Sequence, residues 1–227
     1  MEFIKLRYSL KVVLVGDSGV GKTNIIYRYT KNSAPSENVH TLNNKLFFKN
    51  TKIKNKKIRL EIWDTADQEE EIIPYICQGV HGGFIVYDIS QSESFDNVDF
   101  WFNVLKESLP ENSPIILLGN KSDLNDDRVI EEEEGKKKAE DLDIIFYETC
   151  ASNKKNIKEV FDELLKRIFE KMEKDEIEEA KKEIEEERRE IEESRKELEE
   201  KRAEDERKRK SFEAHIKNEK DKICRCC

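Results

Sequence analysis

The residues whose types and spacing could do chemistry begin with Gly16-Asp17-Ser18-Gly19-Val20-Gly21-Lys22-Thr23. This run satisfies G-x-x-x-x-G-K-[ST], the pattern of a phosphate-binding loop. Glycines permit a tight backbone whose successive N–H groups converge on an anion. A helix opening at the end of the loop adds the partial positive charge of its first amides. Lys22 would bring a full charge to the β- and γ-phosphates, and the Thr23 hydroxyl would ligate Mg²⁺. The candidate phosphate contacts are therefore Ser18, Gly19, Val20, Gly21, Lys22 and Thr23, with Asn24 next to them.

Such a loop works only between a strand and a helix. Leu10-Lys11-Val12-Val13-Leu14-Val15 is an apolar, β-branched run, and Asn24-Ile25-Ile26-Tyr27-Arg28-Tyr29 reads as helix. Strands are expected at about Ser9–Val15, Lys45–Phe48, Lys57–Trp63, Gly83–Tyr87, Pro114–Gly119 and Ile144–Tyr147. The second and third are expected to pair as an antiparallel hairpin. Helices are expected at Gly21–Lys31, Glu69–Gly79, Gln91–Ser108 and Glu131–Leu142, the third from the spacing of Phe95, Val98, Phe102 and Leu105. This alternation implies an α/β fold, with a six-stranded, mostly parallel sheet carrying helices on both faces. Ligands of such sheets sit at the carboxyl ends of the strands. The phosphate loop, Asp64, Asn120 and the segment after Tyr147 all fall there.

Composition divides the chain. Residues 1–169 hold 24 basic and 29 acidic residues, whereas 40 of the last 58 residues are charged. The first part can bury a core and the second cannot do so alone. A net charge of −9 with no dominant basic face argues against nucleic acid as a partner. No apolar stretch approaches the roughly 18 residues of a membrane span. The opening Met1-Glu2-Phe3-Ile4-Lys5 does not read as a secretory signal. Five cysteines, three of them packed at the end, do not form a disulfide framework, so a reducing cytosolic setting is expected.

Three further motifs carry a resemblance. Trp63-Asp64-Thr65-Ala66-Asp67-Gln68-Glu69, Asn120-Lys121-Ser122-Asp123 and Glu148-Thr149-Cys150-Ala151-Ser152 are similar, in order and spacing, to motifs of the Ras-superfamily GTPases. With Val86-Tyr87-Asp88 and the terminal Cys226-Cys227, the chain most resembles the Rab branch over roughly residues 8–170. The resemblance implies the small-GTPase fold, GTP and GDP as ligands, and Mg²⁺ held by Thr23, Thr41 and Asp64. It implies that Asn120, Lys121 and Asp123 read guanine, with Cys150, Ala151 and Ser152 beside them. Asp123 offers two carboxylate oxygens, which suit the N1–H and exocyclic amine of guanine. Adenine lacks that donor pair. Gln68 would orient the attacking water as the catalytic residue. Thr41 would otherwise be an ordinary loop hydroxyl.

The chain also departs from that family. Asp67 stands where the family has the glycine whose N–H contacts the γ-phosphate, which predicts weaker ordering of that segment and slow hydrolysis. Ala34 stands where Rab proteins usually stack an aromatic ring on the base. Leu42-Asn43-Asn44-Lys45-Leu46 replaces a stretch that binds effectors in the family, and Ser152 replaces its lysine.

From Glu170 to about Phe212 the chain has neither Gly nor Pro and is mostly Glu, Lys and Arg. Glu178–Lys182, Glu185–Arg189, Glu192–Lys196 and Glu197–Lys201 have the favourable i, i+4 order. Ile177, Ile184, Ile191 and Leu198 recur every seven residues, but the positions three on are Ala180, Glu187, Ser194 and Lys201. One apolar residue per heptad makes a thin seam. The readings are a solvated single helix, a weak coiled coil or partner-binding helix, and disorder. The expected organisation is a globular domain over 1–170, a charged helix over 171–215 and a flexible tail over 216–227. Cys226 and Cys227 resemble the Rab terminus that takes two geranylgeranyl groups, which implies a peripheral protein on the cytosolic face of an intracellular membrane. A metal site is the other reading of the cysteines, though no histidine lies beside them. The resemblance implies effector, exchange, activating and escort partners, and a role in vesicle traffic. A monomer is expected, with weak helix-mediated dimerisation as the alternative.

Overall fold

The computed structural model describes residues 8–33, 45–53, 56–65 and 72–224. The chain falls into two compact units, Met1–Met172 and Glu173–Cys227. In the first, six strands form one sheet: β1 (Tyr8–Val15), β2 (Lys45–Ile53), β3 (Lys56–Asp64), β4 (Gly82–Asp88), β5 (Ile115–Asn120) and β6 (Ile145–Glu148). Their order is β2-β3-β1-β4-β5-β6, and every pairing is parallel except the β2–β3 hairpin. The helices are α1 (Lys22–Lys31), α2 (Ile73–Ile76), α3 (Ser92–Asp96), α4 (Val98–Ser108), α5 (Glu132–Asp141) and α6 (Ile157–Cys224).

The alternation of β1 explains the two-sided core. Leu10, Val12 and Leu14 join a buried cluster with Ile25 and Ile26 of α1 and Val160, Phe161 and Leu164 of α6. Val13 and Val15 face the other way, into a cluster with Ile73 of α2, Trp101 and Leu105 of α4 and Ala139 of α5. A central strand buried on both faces must be apolar at nearly every position, as this one is. The edge strand β2 is blunted by Lys45, Lys49 and Lys52, whose charge disfavours pairing with another strand.

Within the short, irregular helix expected over about Glu69–Gly79, the described helical turn is Ile73–Ile76. Two elements differ from expectation. The helical spacing over Gln91–Ser108 is interrupted at Asn97, which closes α3 and opens α4. The charged helix continues to Cys224, past the boundary expected near residue 215. Of the four expected i, i+4 pairs, none closes among the described residues. Glu178 instead meets Lys181 and Glu192 meets Arg195, both at i, i+3 and 3.8 Å, while Glu204–Lys208 at 2.6 Å and Glu206–Lys210 at 2.7 Å do close at i, i+4. Among the described residues no helix is long and apolar enough to cross a membrane.

Candidate functional site: a glycine-rich loop joined to a hydrogen-bonded carboxylate

Parallel register places Asp64 beside Leu14 and Asp88 beside Asn120, so one edge of the sheet collects the carboxyl ends of β1, β3, β4 and β5. The loop from β1 to α1 lies on that edge. Gly16 has φ 139°, and a Cβ there would sit 2.1 Å from the Val86 carbonyl oxygen. Gly21 has φ 99°, and its Cβ would sit 2.4 Å from Asn120 Nδ2. These two positions must be glycine for the loop to lie against β4 and β5. Buried Lys22 donates through Nζ to the carbonyls of Gly16 at 2.7 Å and Asp17 at 2.8 Å, holding its charge across the loop.

Thr23 Oγ1 donates to Asp64 Oδ2 at 2.7 Å. Asp64 is fully buried, and the adjacent Thr65 hydroxyl donates to the Leu14 carbonyl at 2.8 Å, fixing this end of β3 against β1. A hydroxyl and a carboxylate at the foot of a phosphate loop suit Mg²⁺, which takes few protein oxygens and completes its shell with phosphate and water. The residues present fit the group.

Asp17 secures the loop from its outer side. Its carboxylate accepts from Asn97 Nδ2 and from Trp101 Nε1, each at 2.7 Å, tying the loop to α4.

The second half of the site grows from the ends of β5 and β6. Asn120 Nδ2 donates to the Val20 carbonyl at 2.8 Å, and its Oδ1 accepts the Thr149 hydroxyl at 3.2 Å. One side chain thus joins the phosphate loop to the Thr149–Ser152 segment. Lys121, with a left-handed φ of 64°, sends Nζ to Asp88 Oδ2 at 2.7 Å. Asp123 Oδ1 accepts from Cys150 Sγ at 3.0 Å and Oδ2 from Ser152 Oγ at 2.6 Å. Partial burial works against ionisation of Asp123. The hydrogen bonds from Cys150 and Ser152, its own backbone amide and the Lys121 charge outweigh it, holding the carboxyl below its usual range. An ionised carboxylate has about four lone-pair sites. The Cys150 and Ser152 side chains take one on each oxygen, and the carboxylate keeps acceptor capacity for a ligand that presents two adjacent donors.

The segment carrying Cys150 and Ser152 is held from below. Arg28 of α1 donates through Nε to the Ala151 carbonyl at 2.6 Å and through NH2 to the Ser152 carbonyl at 3.1 Å. Glu148, 5% exposed, accepts from both ends of the Arg128 guanidinium at 2.6 and 3.2 Å and from Lys155 Nζ at 3.3 Å. Burial alone would raise the Glu148 carboxyl, but the Arg128 and Lys155 contacts outweigh it and leave it lowered. Those Glu148 contacts in turn raise Arg128.

The structure therefore brings together Ser18, Gly19, Val20, Gly21, Lys22, Thr23, Asn24 and Asp64 around the β1–α1 loop, and Asn120, Lys121, Asp123, Cys150, Ala151 and Ser152 at the ends of β5 and β6. Ala34, Thr41, Asp67, Gln68, Cys226 and Cys227 lie outside the described residues. Sequence reasoning missed the roles of Asp17, Asp88, Arg28 and the Arg128–Glu148 pair. Asp88 and Glu148 stand inside stretches already singled out, and their charge at the end of an apolar strand was the available signal. Arg28 offered none.

A Ras family profile matches residues 11–170. The chain is 41% identical over 164 residues to the GTP-binding protein ypt3 of Schizosaccharomyces pombe, covering 71% of this chain and 77% of that one. It is 38% identical over 173 residues to the Ras-related protein RABA1b of Arabidopsis thaliana, covering 75% and 80%. It is 39% identical over 167 residues to the human Ras-related protein Rab-3D, covering 73% and 76%. The site geometry, the sheet order and these similarities converge: the chain belongs to the Ras family of small GTPases, in its Rab branch.

Proposed function

We propose that this chain is a guanine-nucleotide switch that binds GTP and GDP, hydrolyses GTP slowly with Mg²⁺, and works from a membrane surface in vesicle traffic. The observation that carries the reading is Asn120, whose two amide atoms join the phosphate loop at Val20 to the segment that holds Asp123. Phosphate and base are thereby sensed by one connected unit.

In this reading Lys22 and the loop amides meet the phosphates, and Asp123 selects guanine through its two carboxylate oxygens. Lys121, tied to Asp88, lays its stem against the base. Thr23 and Asp64, already 2.7 Å apart, hold Mg²⁺, with Thr41 joining them. When bound, the metal supplies positive charge that offsets the repulsion of the phosphates. Gln68 orients the attacking water, and Asp67 slows that step by placing a carboxylate where the family has glycine. Cys226 and Cys227 carry two prenyl groups, and Lys217, Lys220, Lys222 and Arg225 add attraction to anionic lipid. Effectors read the stretch from Thr41 to Leu46, whose departure from the usual Rab sequence predicts an uncommon effector set.

The deciding experiment identifies the nucleotide that co-purifies with the protein and measures GTP turnover. Guanine nucleotide with slow turnover, raised by Asp67→Gly, is expected. Adenine nucleotide, or none, overturns the reading. Asp67 also favours a second reading, a GTP-dependent binding module that acts as a membrane tether without hydrolysis; single-turnover measurements with no phosphate release would select it. Slower nucleotide release in Ala34→Tyr and mass spectrometry of Cys226 and Cys227 from native cells test the remaining parts.

A further inference from the structure

We infer that the charged helix of the second unit is a parallel homodimerisation surface, its partner a second copy of this chain. The stretch from Ile177 to Glu204 is four heptads of one pattern, [IL]-E-E-x-[KR]-x-E. The whole stretch is helical. Ile177, Ile184, Ile191 and Leu198 occupy heptad position a and are 57%, 53%, 61% and 51% exposed. A helix that only had to stay solvated would gain nothing from isoleucine, a weaker helix former than Ala, Leu, Glu or Lys. An apolar residue at a in every one of these heptads marks one face of the helix as a seam.

The flanking charges choose the partner and its direction. Position g is glutamate and position e is basic in every one of these heptads. In a parallel pair each g faces the e of the following heptad on the other chain, so Glu183 meets Arg188, Glu190 meets Arg195 and Glu197 meets Arg202. The same spacing continues at Glu176–Lys181 and Glu204–Arg209. Residues five apart do not face each other on one helix, so the g-to-e spacing itself closes no pair inside it. Among the described residues Glu183, Arg188, Glu190, Glu197 and Arg202 make no ion pair within the helix, while Lys181, Arg195, Glu204 and Arg209 pair there with Glu178, Glu192, Lys208 and Glu213. An antiparallel pair would set e against e and g against g, placing like charges together along the seam.

Position d sets the strength. Ala180, Glu187, Ser194 and Lys201 bury little, and Asp205 at the fifth a position ends the apolar stripe. The dimer is therefore weak, concentration-dependent and sensitive to salt. Parallel pairing sets residue 224 of both chains at the same end.

Sedimentation equilibrium of the full chain over a range of concentrations at low salt tests this. The mass should rise from 26.8 kDa towards twice that value, and fall back in high salt. Arg188→Glu/Arg195→Glu/Arg202→Glu and Glu183→Lys/Glu190→Lys/Glu197→Lys should each weaken self-association on the order of tenfold or more. An equimolar mixture of the two should restore it. Circular dichroism shows whether each variant keeps its helix. In a chain with Cys224, Cys226 and Cys227 changed to serine, Ser194→Cys should crosslink to its own counterpart. A monomer at every concentration, a dimer indifferent to both charge reversals, or a dimer whose Ser194→Cys copies do not crosslink overturns the inference.

Discussion

Glu148→Gln tests the support beneath the segment that carries Cys150 and Ser152. The carboxylate is nearly buried and receives three charged donors, two from Arg128 and one from Lys155. Glutamine keeps one acceptor oxygen, loses the charge, and turns an NH₂ towards the guanidinium. Stripping a buried pair of one partner costs about 3–5 kcal/mol when the other charge is left with nothing. Arg128 keeps the Ile130 carbonyl at 3.0 Å and Asn125 Oδ1 at 3.4 Å, so the cost should fall to about 2 kcal/mol, in the range of charge-assisted hydrogen bonds. With a urea slope of roughly 2 kcal/mol/M, the unfolding midpoint should drop by about 1 M at pH 7.

The pH dependence supplies the sign. The folded carboxyl is lowered from 4.5, so its stabilisation is present above the unfolded value and lost as pH falls through the folded one. The difference between wild type and variant should be constant from about pH 7 to 5 and shrink below about 4.5. Arg128 is raised above the ordinary guanidinium value by its Glu148 contacts, so its contribution is fully present throughout this window and does not vary in it. Adding Arg128→Met to Glu148→Gln should cost less than the sum of the two single changes. A variant that unfolds at the wild-type urea concentration, or a difference that persists undiminished at pH 3.5, would refute the argument.

Ser152→Ala removes the 2.6 Å donor that orients Asp123 and should weaken GDP binding about 3- to 10-fold in a fluorescence titration. Trp101→Phe deletes the indole donor to Asp17, which should lower stability by about 1–2 kcal/mol and speed release of a fluorescent GDP analogue in stopped flow. Gly135→Ala should lower the melting temperature despite better helix propensity. The new Cβ would lie 2.5 Å from Tyr87 Oη and 2.6 Å from Phe146 Cζ, and overpacking of this kind costs about 1–3 kcal/mol.

What could be read in advance was whatever is encoded locally. The phosphate loop announces itself because an anion cradle needs glycine, lysine and a hydroxyl at fixed spacing along one turn of chain. β1, β4 and β5 announce themselves because parallel strands covered on both faces are written in apolar runs such as Ile115–Leu118, and β3 does so by alternating polar and apolar residues. The break at Asn97 was invisible for the same reason. Phe95, Val98, Phe102 and Leu105 keep helical spacing straight through it, while Asn97 sends its side chain 80 positions away to Asp17. The contacts that complete the site are all of this long-range kind: Trp101 to Asp17, Arg28 to Ala151, Arg128 to Glu148. No window of sequence contains both partners.

The charged helix divides along the same line. Its i, i+4 pairs could be listed from the sequence, yet the structure closes a different set, with Glu178 on Lys181 and Glu192 on Arg195. Exposed pairs of this kind are worth only a few tenths of a kcal/mol, so several side-chain arrangements compete and spacing cannot choose among them. The seven-residue recurrence of Ile177, Ile184, Ile191 and Leu198 behaves differently, because it constrains a face rather than a rotamer. Side-chain hopping cannot move a β-branched apolar residue to the other side of its helix. The stripe therefore persists whichever ion pairs form around it.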